Sequence, residues 1–485
     1  MLNPNKTKIV CTIGPKCESP EIMLQMLDAG MNIARLNFSH GDFEWHGKAI
    51  ANLRQTARTA GKRVTIMADL PGPKMRIGEL ADEPIDLKPG DAFTLTTNEI
   101  TGNRQHAFVT FERLPAVVEA GDFIFLNDGI IQLKVVAVQG KDIQCTVLVG
   151  GELRSRKGLN LPGIDLGVSA FTQHDRDSLK FALERGVDAV SQSFVETASD
   201  VELVRVAAAE RGHRPFIIAK IERAGALVHI DEILQAADGI MIARGDLGVE
   251  TPIERIAVVQ KQLTQKANLL GKPVITATQM LESMVYHPRP TRAESTDVAN
   301  AILDGTDCVM LSEESAMGEF PVAAVTMLAK IAAATEPSRS TVRVREAFPE
   351  YTRDGDVDLV DLVSRTVNDT VAHLAPMAVI VPTRTGRTAR MVSRFMLPVW
   401  IAAVSTEERT CQGLQFSYGV SPVHAPEPPR DWNSFARQWA RDEGLADGVM
   451  VLAEGPSQNH PRANHRVEII QAGVIGRPSA KQSEP

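Results

Sequence analysis

Cysteine is scarce and shows no sign of serving as a framework. The 485 residues contain five, Cys11, Cys17, Cys145, Cys308 and Cys411, an odd number with no C-x-x-C pair and no histidine at zinc spacing. That pattern argues against a disulfide scaffold or structural zinc and for a reducing, cytoplasmic setting. No stretch approaches about 18 uninterrupted apolar residues. The opening MLNPNKTKIV also lacks a charged-then-apolar signal, so neither a membrane span nor a secretory leader is expected. A basic block is missing too: 52 Lys and Arg face 60 Asp and Glu, for a net charge of -8. Nucleic acid and membrane are therefore not expected partners; small molecules and copies of the chain are. G-x-x-x-x-G-K-[ST], and G-x-G-x-x-G after a strand, are absent, which removes the main support for P-loop and Rossmann readings. H-E-x-x-H and G-x-S-x-G are absent as well.

Hydrophobic residues at 44% and charged residues at 23% give an ordinary globular composition. At about 150 residues per domain, the length predicts roughly three domains. Short β-branched runs recur, most followed by a helical period: KIVCTI (Lys8 to Ile13), NIARLN (Asn32 to Asn37), VTIMAD (Val64 to Asp69) and VDAVSQS (Val187 to Ser193). FIIAKI (Phe216 to Ile221), GIMIA (Gly239 to Ala243), VITAT (Val274 to Thr278) and DCVML (Asp307 to Leu311) follow. Eight strands alternating with helices predict an α/β chain built on a (β/α)8 TIM barrel, with a doubly wound sheet as the alternative.

One gap breaks the rhythm. Residues 72–163 carry Gly-bounded alternating runs such as DFIFLNDGIIQLKVVAV instead of one helix, which reads as an inserted small, β-barrel-like domain. Active sites of such barrels lie at the C-terminal strand ends, so an insertion there is placed to act as a lid. The barrel domain then comprises residues 1–71 and 164–340. Residues 336–356 read as an irregular linker. A C-terminal α/β domain follows over 357–473, with strand-like AVIVP, WIAAVS and VMVLAE, and residues 474–485 read as a flexible tail.

Polar chemistry gathers at the strand ends. Lys220 and Glu222 alternate along one strand and share a face. A carboxylate to ligate a hard cation beside an ammonium to neutralise a phosphoryl group suits a metal-phosphate site. A structural Lys-Glu pair would leave the same trace. Arg244-Gly245-Asp246 follows an apolar strand; Gly245 permits close backbone approach, a helix start there would bind a carboxylate, and Asp246 would be a second metal ligand. A plain surface turn is the alternative. Thr278 ends VITAT, with Gln279-Met280 opening a helix, where a threonine is often only a cap. Arg35 and Asn37 share a strand face and precede Ser39-His40-Gly41, offering a cation and small polar ligands for phosphate, although Arg35 alone would also fit a structural ion pair.

Together, CTIGPK from Cys11, MNIARLNFSHG from Met31, KGLNLPG from Lys157, AKIE from Ala219, DGIMIARGDLGVE from Asp238, KPVITATQMLESM from Lys272 and PRPTRAESTDVANAILDG from Pro288 closely resemble the pyruvate kinase family, in family order. The resemblance runs from Lys8 to about Ala472. It implies a barrel, an inserted lid and a C-terminal effector domain, and transfer of phosphate from phosphoenolpyruvate to ADP, giving pyruvate and ATP. Glu222 and Asp246 would hold Mg2+ or Mn2+, Arg35 and Lys220 would balance charge on the phosphoryl group, and Lys220 would stabilise the transition state. Gly245, Asp246 and Thr278 would bind the substrate carboxylate, with Thr278 near the route of enolate protonation. Asn37, Ser39, His40, Arg76 and Lys157 match positions that contact nucleotide or monovalent cation.

The chain departs from many relatives after Asp69, reading Leu70-Pro71-Gly72-Pro73-Lys74 where they have Thr-Lys-Gly-Pro-Glu. The threonine is a potassium ligand in those relatives, and Leu70 offers only its backbone carbonyl. Lys74 would supply the missing positive charge, so catalysis is expected not to require K+, although Asn37, Ser39 and Asp69 remain. In the last domain Thr383-Arg384-Thr385-Gly386-Arg387-Thr388 resembles the family's effector phosphate loop, and a capping loop without a ligand is the alternative. A phosphorylated small-molecule effector, allosteric regulation and a homotetramer follow from the resemblance. Metal-dependent barrel lyases and a catalytically dead sensor are the competing classes; Arg76 and Lys157 disfavour the first and the intact mouth residues the second.

Overall fold

The computed structural model describes residues 2–339, 358–445, 448–455 and 465–471. Eight parallel strands close into a barrel: Lys8–Thr12, Met31–Asn37, Thr65–Leu70, Ala189–Gln192, Phe216–Ile221, Gly239–Ala243, Val274–Ala277 and Cys308–Leu311. The last pairs with the first, so no sheet edge is left. Each strand is buried on both faces, which explains why their sequences read as near-continuous apolar runs. Val10, Ile33, Met67, Ile218, Met241, Ile275 and Met310 fill the interior. Their neighbours Ile9, Ala34, Ile66, Ile217, Ile240 and Val309 face the surrounding helices. Continuing the inward alternation toward the C-terminal ends gives Thr12, Arg35, Asp69, Ser191 and Lys220, so the period of two turns an apolar core into a polar mouth.

The helices start where capping chemistry allows. Thr172 and Asp175, and Thr291 and Glu294, form reciprocal capping boxes at the helices Gln173–Glu184 and Arg292–Asp304.

The insertion leaves the barrel after Leu70 and has its own core around Phe93, Leu95, Ile124, Leu133 and Ile143. It is a six-stranded sheet in the order Leu159–Asn160, Phe123–Leu126, Ile131–Gln139, Asp142–Val149, Ala92–Thr96, His106–Phe108, with Gly151–Leu153 paired to Ile85–Leu87 beside it. Single bridges such as Arg76 to Gly158 and Ile77 to Val109 draw the leading chain across the sheet.

The C-terminal unit is a five-stranded sheet, four strands parallel and the last antiparallel. AVIVP, WIAAVS and VMVLAE are strands as expected. Val420–His424 and Arg466–Gln471 are strands that the sequence reading missed. Both are edges: Pro422 interrupts the first, and the second is mostly half-exposed, so neither carries a buried apolar run.

The expected linker begins firmly anchored. Glu336 accepts from the backbone N–H of Lys6 and Thr7 at 2.8 and 2.7 Å, and Arg339 donates to the carbonyls of Ile302 and Thr306, both at 2.7 Å. The rest of it and the expected tail lie outside the described residues.

The C-terminal unit closes the other end of the barrel. Phe416 joins the interior cluster and stacks on Phe216, ring centroids 5.2 Å apart. Around it Lys8 Nζ donates to the Val420 carbonyl at 2.6 Å, Thr65 Oγ1 to the Gln412 carbonyl at 2.8 Å, and Tyr418 N–H to Asp307 Oδ1 at 2.9 Å. Burial pushes the Asp307 carboxyl up to about 6 against the opposing N–H donors of Tyr418 and Val274 and the charges of Arg339 and Lys8. A folded-state pKa above the unfolded one means the native protein binds this proton more tightly, so the group adds stability as pH falls from above 6 toward 4. Chemical denaturation at pH 7 and pH 5 is expected to show Asp307→Asn missing a gain of roughly 1 kcal/mol that the parent makes over that interval.

Candidate active site

Asp69 lies at the centre of the mouth, 2% exposed. Its Oδ2 accepts from Arg35 Nε at 2.7 Å and lies 2.5 Å from Nη2; its Oδ1 accepts from Ser191 Oγ at 2.6 Å and lies 3.5 Å from Lys220 Nζ. Burial alone would raise this carboxyl, but Lys220, Arg35 and the Ser191 hydroxyl outweigh it and hold it down to about 2. Arg35 is further fixed by Thr12, whose Oγ1 accepts from Nη1 at 2.9 Å and donates to the Leu311 carbonyl.

Lys220 donates to Ser193 Oγ at 2.6 Å and pairs with Glu222 Oε1 at 2.7 Å. Burial disfavours its charge, yet Asp69 and Glu222 together raise it above the ordinary lysine value, so the ammonium stays protonated. Glu222 uses its other oxygen to accept from Phe194 N–H at 2.8 Å.

Asp246 sits in the first turn of the helix Arg244–Glu250. Its side chain keeps open water access, yet the surrounding mass of the mouth, then the negative charge of Glu222, push it up to about 6, with Lys220 and Lys74 opposing and Asp128 of the insertion adding to the rise. Glu222 is buried at 3% exposure, and a carboxylate pushed up by its charge is what a cation would relieve. Among the described residues no group of three or more His, Cys, Asp and Glu is placed to hold a metal. The donor set of two carboxylates, to be completed by water and substrate oxygens, fits a hard divalent cation.

Thr278 corrects an expectation. The strand ends at Ala277, no helix opens at Gln279, and Thr278 and Gln279 both have left-handed backbones, φ +74° and +55°. The next helical turn is Glu282–Val285. Arg244 holds the bend, donating to the Ala277 and Thr278 carbonyls at 3.2 and 2.8 Å while paired with Asp297. Gly245 is required by this neighbour: a Cβ there would lie 2.8 Å from Thr278 Cγ2.

A cleft of about 520 Å³ runs between barrel and insertion, lined by Ser39 and His40 on one side and Arg76, Gly78, Glu79, Thr110 and Arg156 on the other. Burial, then Lys74, Arg76 and Arg35, push His40 below its ordinary value, so it is neutral at pH 7. Arg76 Nη1 donates to the Arg156 carbonyl at 2.8 Å. Lys157 is absent from the cleft lining, and its carbonyl accepts from Ile77 N–H. Asn37 builds the turn beneath the cleft: Oδ1 accepts from Ser39 N–H and its carbonyl from His40 N–H, both at 3.1 Å.

At the position expected to serve a monovalent cation, the side chain of Leu70 faces outward into the core under the helices. It cannot meet an ion in the mouth, which leaves Lys74 as the informative change. Lys74 keeps open water access, yet the surrounding mass of the mouth, then Lys220 and Arg76, push its ammonium down to about 8, while Asp69 and Glu222 pull it up. In the C-terminal domain Thr383 Oγ1 accepts from Gly386 N–H at 3.0 Å, Arg387 pairs with Asp358, and the Arg384 carbonyl accepts from Thr410.

Sequence reading missed Thr12, Ser191, Ser193, Phe194, Asp128 and Arg156. Ser191 and Ser193 carried a signal: both follow the inward alternation of VDAVSQS, and Ser191 is in register with Asp69.

Moving a phosphoryl group needs fixed positive charge around it, a carboxylate-held cation beside it and shelter from water. The mouth supplies the fixed charge and two carboxylates able to hold a cation, and the insertion flanks it, an arrangement that fits the metal-assisted phosphotransferases. Comparison with known proteins agrees. Residues 4–325 match the family described as pyruvate kinase, barrel domain, and 361–464 the family described as pyruvate kinase, alpha/beta domain. A pyruvate kinase of Thermococcus litoralis is 47% identical over 87% of this chain and 89% of its own length. A protein named pyruvate kinase 2 from Synechocystis is 40% identical over 98% of this chain and 80% of its own. A crystal structure of a pyruvate kinase from Cryptosporidium parvum superposes with a TM-score of 0.89 at 35% identity, covering 97% of each chain. The chain belongs to the pyruvate kinase family, whose enzymes transfer the phosphoryl group of phosphoenolpyruvate to ADP.

Gly245→Ala is expected to lower kcat about tenfold or more, because the bend carrying Thr278 must shift. Adding Thr278→Ser, which deletes the clashing Cγ2, is expected to recover part of that loss in initial-rate assays.

Proposed function

We propose that the mouth divides the transfer from phosphoenolpyruvate to ADP among the residues described above. The observation that carries this reading is Lys220, a buried and protonated ammonium held by Ser193, Glu222 and Asp69. Lys220 and Arg35 neutralise charge on the phosphoryl oxygens in flight. Because Asp69 and its partners fix both cations in advance, little reorganisation accompanies the reaction. Glu222 and Asp246 hold the divalent cation, Mg2+ or Mn2+, which when bound supplies Lewis-acid polarisation of the substrate oxygens. The backbone at Gly245 and Asp246, with Thr278, orients the substrate carboxylate, and the left-handed bend keeps Thr278 where the enolate must gain its proton.

The cleft between the domains accepts the nucleotide, with Arg76 and Arg156 facing its phosphates, neutral His40 at its floor and Lys157 joining on closure. Lys74 stands in for a monovalent cation, so K+ is not required although Asn37, Ser39 and Asp69 are retained. The Thr383 to Thr388 loop takes a phosphorylated effector, which must compete with Asp358 for Arg387, and regulation passes through a homotetramer. No described helix is long and apolar enough to cross a membrane, and all five cysteines are buried and unpaired, which supports a cytoplasmic setting.

Lys220→Met is expected to lower kcat by about a thousandfold while phosphoenolpyruvate binding, followed by calorimetry, persists. Near-normal turnover would refute its role. Initial rates of pyruvate formation in potassium-free buffer and with KCl at constant ionic strength are expected to agree within about twofold, whereas Lys74→Glu makes the rate fall about tenfold or more without K+ and recover with it. A parent enzyme active only with K+ would sink the substitution argument.

A further inference from the structure

Phe194 has a left-handed backbone, φ +59°, which a bulky residue adopts only when its surroundings impose it. Two contacts explain the imposition. Its N–H donates to Glu222 Oε2 at 2.8 Å, and its ring presses on Gly72, where a Cβ would lie 2.8 Å from the ring's Cδ2. Gly72 is itself left-handed, φ +66°, stands two residues after the barrel strand Thr65–Leu70, and begins the insertion. Its N–H is pinned by Asp175 Oδ1 at 3.0 Å, so the outgoing connection has a fixed point directly under the Phe194 ring.

The returning connection ends beside the same carboxylate. Arg223, adjacent to Glu222, donates to the Ile164 carbonyl at 2.7 Å and pairs with Glu196 and Glu250. Both legs of the insertion therefore grip residues bonded to or flanking Glu222.

We propose that Phe194 is a positioning residue that couples the placement of the insertion to the orientation of Glu222, so that divalent-cation binding and insertion movement are linked. A rotation about Gly72 must carry or release the Phe194 ring, and the N–H of the same residue then holds or frees one oxygen of Glu222. Reciprocity follows: a cation that favours one orientation of Glu222 favours one placement of the insertion. This rests on the reading of Glu222 as a cation ligand. Loss of Mn2+ binding in Glu222→Gln tests that reading separately.

The test uses the full chain without substrates and reads Mn2+ affinity by electron paramagnetic resonance of the free ion. Gly72→Ala drives a methyl into the ring and is expected to weaken Mn2+ binding about tenfold, with Phe194→Ala in the same chain restoring it to within about threefold. An undiminished affinity in Gly72→Ala, or an equal loss in both backgrounds, overturns the coupling. Insertion movement is read independently from spin labels on Ile100→Cys and Val206→Cys, which label cleanly because the native cysteines are all buried. Mg2+ is expected to shift the label distance in the parent and not in Phe194→Ala; an equal shift in both, or none in the parent, refutes the linkage even if Gly72→Ala does not fold.

Discussion

The mouth depends on one buried carboxylate. Arg35 and Lys220 point into the same small space, where two like charges out of water would repel strongly. Asp69 between them turns that repulsion into a clamp, and its depression to about 2 shows that their attraction exceeds the cost of burying it. Thr12, Ser191 and Ser193 complete the clamp with hydroxyls, so the two cations are fixed before any substrate arrives. The adjacent carboxylate pair has the opposite character. Glu222 and Asp246 act on one another as like charges that Lys220 and Lys74 offset only in part, and the raised carboxyl of Asp246 makes it receptive to a hard cation.

Barrel geometry brings these opposites together. Inward residues from different strands meet in layers, and the same alternation that gives Ile218 to the core gives Lys220 to the mouth. The two ends are then specialised differently: one is polar and open toward the insertion, the other is sealed by the stacked pair Phe216 and Phe416.

Most of this was readable from the sequence where a local rule governs it. Eight strands, the insertion after the third, and the inward placing of Arg35, Lys220 and Glu222 follow from period two and the polarity at strand ends, whereas the central place of Asp69 emerges only from its contacts with Arg35, Ser191 and Lys220. What escaped was set by contacts distant in the chain. The left-handed bend at Thr278 is imposed by Arg244 and by the shape of Gly245, neither visible in VITAT. Arg156, rather than Lys157, lines the cleft, on a left-handed backbone of φ +63° and with Nε bonded to Glu79 across the insertion. Leu70 looks informative beside its relatives' threonine, yet its side chain belongs to the outer core, which only the barrel's register reveals. The edge strands of the last domain lack an apolar pattern because one face of each meets water.

The plug at the closed end also bears on how the protein is made. Leu311 completes the barrel wall, but Phe416, which fills its floor, lies 105 residues further along. At cellular rates of synthesis that separation corresponds to roughly 5–20 s on the ribosome. Until Phe416 emerges, the apolar interior at that end of the barrel lacks the ring that covers it in the finished protein. Completion of the first domain thus waits on the emergence of the third, and the order in which the chain is written is not the order in which its cores are closed.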